Sequence, residues 1–197
     1  MSSGTNGIDL SHYNHPLDLS KIAGLDFVIA KRTEGTDPAL VDTSFDSWAE
    51  QARAHNLAFG AYHVFHAQTH NARRQAEWFI EHVKPRSGWS LWVDYEEAGF
   101  GPSPADDAEQ LGLFNMTIKY HFHAQKTGIY TNGDGLARIR PYLYETNYNA
   151  LWYATVGQPM MAQSSPPWQV HQYTIVNGID RDHSVWSREQ WDAYTAW

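Results

Sequence analysis

From end to end the chain alternates short β-rich apolar runs with longer amphipathic stretches, and this alternation limits the fold more than any other feature. The runs are Gly7-Ile8-Asp9, Phe27 to Lys31, Ala58 to Phe65, Ser90 to Tyr95, Gly128 to Thr131, Ala150 to Val156, Trp168 to Tyr173 and Gly178-Ile179-Asp180. Between them, Thr43 to His55, Asn71 to His82 and Pro104 to Gln125 carry helical patterning, the last with Pro104 in its first turn and Ser103 as N-cap. Strand and helix signals in turn predict parallel βα units. About eight strands in a chain of this length predict an α/β fold, an irregular (β/α) TIM-like barrel with a reduced set of helices. The 197 residues suffice for one sizeable core and are too few for two ordinary domains, so 1–197 reads as one domain. Gly101 to Pro104 and Ser164 to Pro167 read as loops rather than linkers.

Composition removes several classes of function. The net charge of −8 argues against nucleic acid or an anionic membrane as the main partner, although the 11 His could shift that balance below about pH 6.5. With no Cys there is no disulfide, thiolate metal site or Cys nucleophile. The start, MSSGTNG, has no apolar core of a Sec-type signal, and no apolar stretch approaches the roughly 20 residues that span a membrane. A monomer is the default expectation.

Several of the predicted strands run into a polar side chain with chemical potential: Asp9, Glu34, Tyr62 and His63, Asp94 and Glu96, Tyr130 and Asn132, Gln172 and Tyr173, and Asp180. In a (β/α) barrel the C-terminal strand ends converge on one face, where the chemistry sits. Four acids at four such ends predict a carboxylate-lined pocket.

The fourth strand, within Trp92-Val93-Asp94-Tyr95-Glu96-Glu97, is the most informative. Side chains alternate across a strand, so Trp92, Asp94 and Glu96 share one face, and Leu91, Val93 and Tyr95 the other. The apolar set belongs beneath helices, which turns Asp94 and Glu96 inward, about 7 Å apart on one wall. Two like charges in a partly desolvated site cannot both ionise freely, and the carboxyl that keeps its proton suits a general acid. Read from this strand alone, Asp94 could equally be solvated or ion-paired, with Glu96-Glu97 opening a polar loop. Glu97 falls on the other face and reads as an ordinary loop acid. Paired carboxylates flanked by Trp and Tyr point towards glycoside hydrolysis.

Taken in order, GIDLSHYN, KRTEG, FGAYHVF, QAEWF, WVDYE, GIYTN, LWYA and HQYT…GIDRD resemble the glycoside hydrolase family 25 lysozymes, and the resemblance runs nearly end to end. It implies an N-acetylmuramidase with no cofactor. Such an enzyme cleaves the β-1,4 bond between N-acetylmuramic acid and N-acetylglucosamine in bacterial peptidoglycan, with retention and with help expected from the substrate's acetamido group. Carried over by motif, Glu96 is the general acid/base, Asp94 the stabilising acid and Asp9 the acid at the groove floor. The late Val-Asp-x-Asn-like motif of the family aligns with Ile179-Asp180-Arg181-Asp182, which favours Asp180 as the fourth acid; a two-residue shift would exchange it with Asp182. Glu34, Tyr62, Tyr130, Trp152, Gln172 and Asp182 are expected to bind substrate. Arg32 stands where the family usually has Ala, either pairing with a groove acid or pointing outward. No wall-binding repeat follows the barrel, which fits a phage endolysin released through a partner pore or a trimmed secreted enzyme.

Rival readings were a non-catalytic glycan-binding module on the same barrel and a metal-dependent polysaccharide hydrolase or deacetylase. Neither HExxH nor GxSxG occurs. His121 and His123 fall two apart on a helical pattern and diverge. His63 reads as a core or groove-wall hydrogen bonder, and Thr131 to Gly135 as a turn without the Lys of a phosphate loop. Trp48, Trp78, Trp186 and Trp191 sit on helical patterns and read as packing.

Overall fold

The computed structural model describes residues 4–86, 88–123, 126–157 and 168–195. Every apolar run becomes a strand: β1 Thr5–Leu10, β2 Phe27–Glu34, β3 Ala58–Val64, β4 Trp89–Asp94, β5 Gly128–Thr131, β6 Ala150–Ala154, β7 Val170–Val176 and β8 Ile179–Ser184. Neighbours in sequence are neighbours in space, and β8 returns to β1 to close the barrel. The strands β1 to β7 are parallel, as expected. The eighth departs from that expectation, running antiparallel to both β7 and β1. The cause is local. Asn177-Gly178 joins β7 to β8 with φ of 55° and 74°, the two positive values a tight hairpin turn needs, so no crossover is possible.

Helices α1 Phe45–Ala54, α2 Ala72–Val83 and α3 Pro104–Phe122 follow β2, β3 and β4, close to their expected limits. Ser103 caps α3 by accepting from the Asp106 amide, and Pro104 occupies its first turn. Gln125 and the Ser164 to Pro167 loop lie outside the described residues. The stretch expected to be a turn instead begins a short helix, α4 Gly133–Ile139, which Asn132 caps through the Asp134 and Gly135 amides. Its glycines disguised it. A Cβ on Gly135 would stand 2.1 Å from Thr131 Oγ1 and 3.0 Å from the Tyr95 carbonyl, so close packing excludes a better helix former.

The strand alternation sorts the core into two layers. Outward residues Val28, Ala30, Leu91, Val93 and Tyr95 pack beneath the helices with Phe45, Trp48, Phe79, Leu111 and Phe114. Inward residues Phe27, Ile29, Trp92, Trp152 and Val170 fill the barrel. A last helix, α5 Arg188–Thr195, adds Trp191 and Tyr194 to that inner layer, with Trp191 4.8 Å from Phe27 at the start of β2. The N-terminal end of the barrel is thus plugged by aromatics; truncating Trp92 to Ala would cost about 3–5 kcal/mol. No helix among the described residues is long and apolar enough to cross a membrane.

Candidate active site

Opposite the α5 plug, the C-terminal rim carries a polar cleft of about 220 Å³ lined by Asp9, Tyr62, Asp94, Glu96, Tyr130, Trp152, Gln172 and Asp180. Eight of the ten residues singled out in the sequence meet there. A larger hollow of about 610 Å³, between residues 16–23 and the outer face of β8, has only Asp18 as an acid and lies apart from this cluster.

Register explains the convergence. Asp94 is the last residue of β4, level with Tyr130 on β5 and Val64 on β3. Tyr95, expected to end the strand, lies just beyond it, yet Glu96 keeps extended backbone (φ −134°, ψ 175°) before a turn at Glu97–Gly99. The alternation therefore persists two residues past β4 and still aims Glu96 inward. Asp180 is level with Asp9. Because β8 is antiparallel, Asp180 reaches the rim at the start of its strand rather than at the end.

Hydrogen bonds stiffen the floor and wall. Tyr130 donates to Gln172 Oε1 at 2.9 Å, and Gln172 Nε2 donates to Asp9 Oδ2 at 2.8 Å. The Trp152 ring stands edge-on to Tyr130, with centroids 4.5 Å apart. Asn132 Nδ2 donates to Glu96 Oε1 at 3.2 Å and to Glu97 Oε2 at 2.9 Å. Asn132 was visible as a polar strand end, but its role as the partner of Glu96 was missed. Glu97 is also less bland than its face suggests, because it shares that amide and its charge acts on Glu96.

Among the described residues, burial outweighs the one cation acting on the cluster, Lys31, which pulls Asp94 down. Desolvation, then the charge of Asp180, pushes Asp9 up to about 8 against the pull of Gln172. Desolvation, then Glu96 and Asp9, drives Asp94 well above the carboxylate range, and Asp94 Oδ1 is buried with no hydrogen-bond partner. Glu96 is raised by burial and by Glu97, with Asn132 opposing. Asp180 is raised by burial. The cluster holds protons at neutral pH, which equips it to donate one.

Two predicted residues lie outside this cleft. Asp182, one alternation deeper than Asp180, is 1% exposed and accepts from Trp152 Nε1 at 2.9 Å. Glu34 lines an adjoining hollow of about 240 Å³ with His66, Thr69 and Asn71. Burial would raise its carboxyl, but Lys31 Nζ at 2.6 Å and His66 Nε2 at 3.3 Å outweigh that and hold it low. Lys31, buried on the barrel side of β2, was overlooked; the alternation from Phe27 through Ile29 could have revealed it. Arg32 points outward, donating to the His82 carbonyl at 2.8 Å and lying 4.8 Å over Phe45. His63 is a core residue bonded to Thr33 and Gln75, and burial depresses it to about 3. Of the tryptophans read as packing, Trp48 and Trp191 are fully buried.

Solved structures share this architecture. A bacterial lysozyme from Streptomyces coelicolor superposes with a TM-score of 0.84 at 22% identity, covering 99% of this chain and 98% of its own. A family 25 glycosyl hydrolase from Bacillus anthracis gives 0.83 at 21%, covering 98% and 94%. A GH25 lysozyme from Aspergillus fumigatus gives 0.79 at 22%, covering 99% and 100%. At such identities the likeness speaks for the fold. No curated protein matches the chain in sequence. The profile described as "Glycosyl hydrolases family 25" matches residues 8–180, from within the Asp9 strand to Asp180. The chain belongs to glycosyl hydrolase family 25 and is a glycoside hydrolase.

Proposed function

We propose that the protein is a lysozyme of the N-acetylmuramidase type, cleaving the β-1,4 bond between N-acetylmuramic acid and N-acetylglucosamine in bacterial peptidoglycan. The observation that carries this reading is the meeting of Glu96, Asp94, Asp9 and Asp180 in one aromatic-walled cleft of a family 25 barrel. Glu96 is the general acid. It is raised by burial, lies at the rim and transfers its proton to the glycosidic oxygen as the bond to the sugar breaks. Asp94 orients the substrate's acetamido group: its unpartnered Oδ1 suits the acetamido N–H. The acetamido carbonyl oxygen then attacks the anomeric carbon to give a cyclic oxazolinium. Glu96, now a carboxylate, takes a proton from water, which opens that ring with net retention. Asp9 and Asp180 stabilise positive charge as it develops, with Tyr62, Tyr130, Trp152 and Gln172 shaping the wall. Glu34 supports substrate binding from the margin, and Asp182 lies too deep to touch the sugar.

The test is the chemistry of the new ends. Digestion of purified peptidoglycan should expose muramic acid reducing ends, measured after borohydride reduction. Glucosamine ends, or none, would overturn the specificity.

A further inference from the structure

Asp9, half-buried at the cleft floor, and Asp182, fully buried beneath it, form an acid pair whose geometry the mechanism above does not use. They sit on adjacent strands, with Asp182 level with Gly7 on β1 and Gln172 on β7. Across the two strands each carboxyl bears directly on the other. Each has one donor: Gln172 Nε2 for Asp9, at 2.8 Å, and Trp152 Nε1 for Asp182, at 2.9 Å. The other Asp182 oxygen, Oδ2, is buried and receives no donor. The groups facing the pair are Asp180 from β8, Asp94 and Glu96 on and beyond β4, Tyr62 from β3, Tyr130 from β5, Gln172 from β7 and Trp152 from β6. Among the described residues no Lys, Arg or His is ion-paired with either acid.

Two contacting carboxylates in such a place cannot both be ionised, so one proton must lie between them. A proton on Asp182 Oδ2 turns an unsatisfied buried acceptor into a donor, whereas a proton on Asp9 leaves Asp182 charged at the deeper position. We propose that Asp182 is a positioning residue that stays a carboxylic acid and donates its hydrogen bond to Asp9, fixing Asp9 at the floor of the cleft. Burial, and then the charge of Asp9, pushes Asp182 in the same direction. Asp9 thereby accepts from both Gln172 and Asp182. This role rests on the reading of the cleft as the catalytic site, but the proton itself can be tested apart from it.

Asp182→Asn supplies an amide donor to Asp9 that never titrates and keeps an oxygen for Trp152. The melting temperature of this variant relative to the parent should rise steadily from pH 5 to pH 8.5, because only the parent must retain that proton to stay folded. A difference that stays constant with pH would overturn the proposal. In activity, Asp182→Asn should match the parent near neutrality, while Asp182→Leu should lower kcat about a hundredfold with little change in KM. A folded but inactive Asp182→Asn, or a fully active Asp182→Leu, would also overturn it. If the parent itself fails to cut peptidoglycan, the muramidase reading falls while the melting comparison still decides whether the pair holds its proton.

Discussion

Asp94 and Asp107 lie on opposite faces of the β4 extension, and the molecule treats them in opposite ways. On the outer face of the β4 extension, the Tyr95 hydroxyl donates to Asp107 Oδ2 at 2.5 Å. The same oxygen takes Arg138 Nε at 2.5 Å, and Oδ1 takes the Gly101 amide at 2.8 Å, so Asp107 is fully buried and fully satisfied. On the inner face, Asp94 is half-buried, with Oδ1 buried and unpartnered, and the charges of Glu96 and Asp9 outweigh that of Lys31. The outer network ties α3, α4 and the Glu97 to Gly101 loop to β4, which holds Glu96 in place. The inner cluster gains nothing for folding from its excess of carboxyls. The acid that serves the scaffold is ion-paired, and Asp94 and Glu96, which have no ion-pair partner among the described residues, are the ones a substrate would use.

The same substitution should therefore act with opposite signs in the two places. Asp94→Asn should lower turnover about a hundredfold. In thermal unfolding at pH 8 it should leave the protein about 1 kcal/mol or more stabler, since it removes an acid pushed far from its ordinary value. Asp107→Asn should destabilise by about 3 kcal/mol, because Arg138 and Tyr95 lose their charged partner. Equal losses of stability at both sites would erase the distinction.

A smaller effect appears in the pH dependence of stability. The Asp9–Asp182 pair, with Asp9 raised to about 8, keeps in the folded state one proton that the unfolded chain has lost, so stability falls as pH rises from the ordinary 3.8 towards 8. His63 acts the other way. Held at about 3 in the fold against an ordinary 6.5, it makes stability rise with pH up to about 6.5. The two oppose each other below that value and only the acid cluster acts above it, so the melting temperature should fall between pH 6.5 and 8. Asp9→Asn should flatten that fall, and an unchanged slope would show that the cluster holds no extra protons. The smallest effect belongs to Asn132→Ala. Removing the donor that pulls Glu96 down should move the alkaline limb of the rate profile upward by less than about one pH unit. A downward move would mean that Asn132 does not bear on the acid.

Much of this was legible in the chain because period-two alternation is a strong constraint: once Leu91, Val93 and Tyr95 belong to the outer core, Asp94 and Glu96 have nowhere to point but inward. The family motifs then supplied roles that the alternation alone left open. Local turn chemistry was under-read. Asn177-Gly178 is a hairpin signal that would have turned β8 antiparallel, and Gly133 and Gly135 hid a helix whose glycines serve packing against Tyr95 and Thr131. Contacts between distant segments were out of reach, since nothing near Asp107 in sequence announces Arg138, and nothing near Asp182 announces Trp152.

The central claim is that Glu96 is the proton donor of the acid cluster. Turnover of purified peptidoglycan by Glu96→Gln, measured beside its melting temperature, tests it most directly. The account predicts a loss of roughly a thousandfold, with melting unchanged or slightly raised at neutral pH. A folded variant that keeps activity within a few-fold of the parent would contradict it.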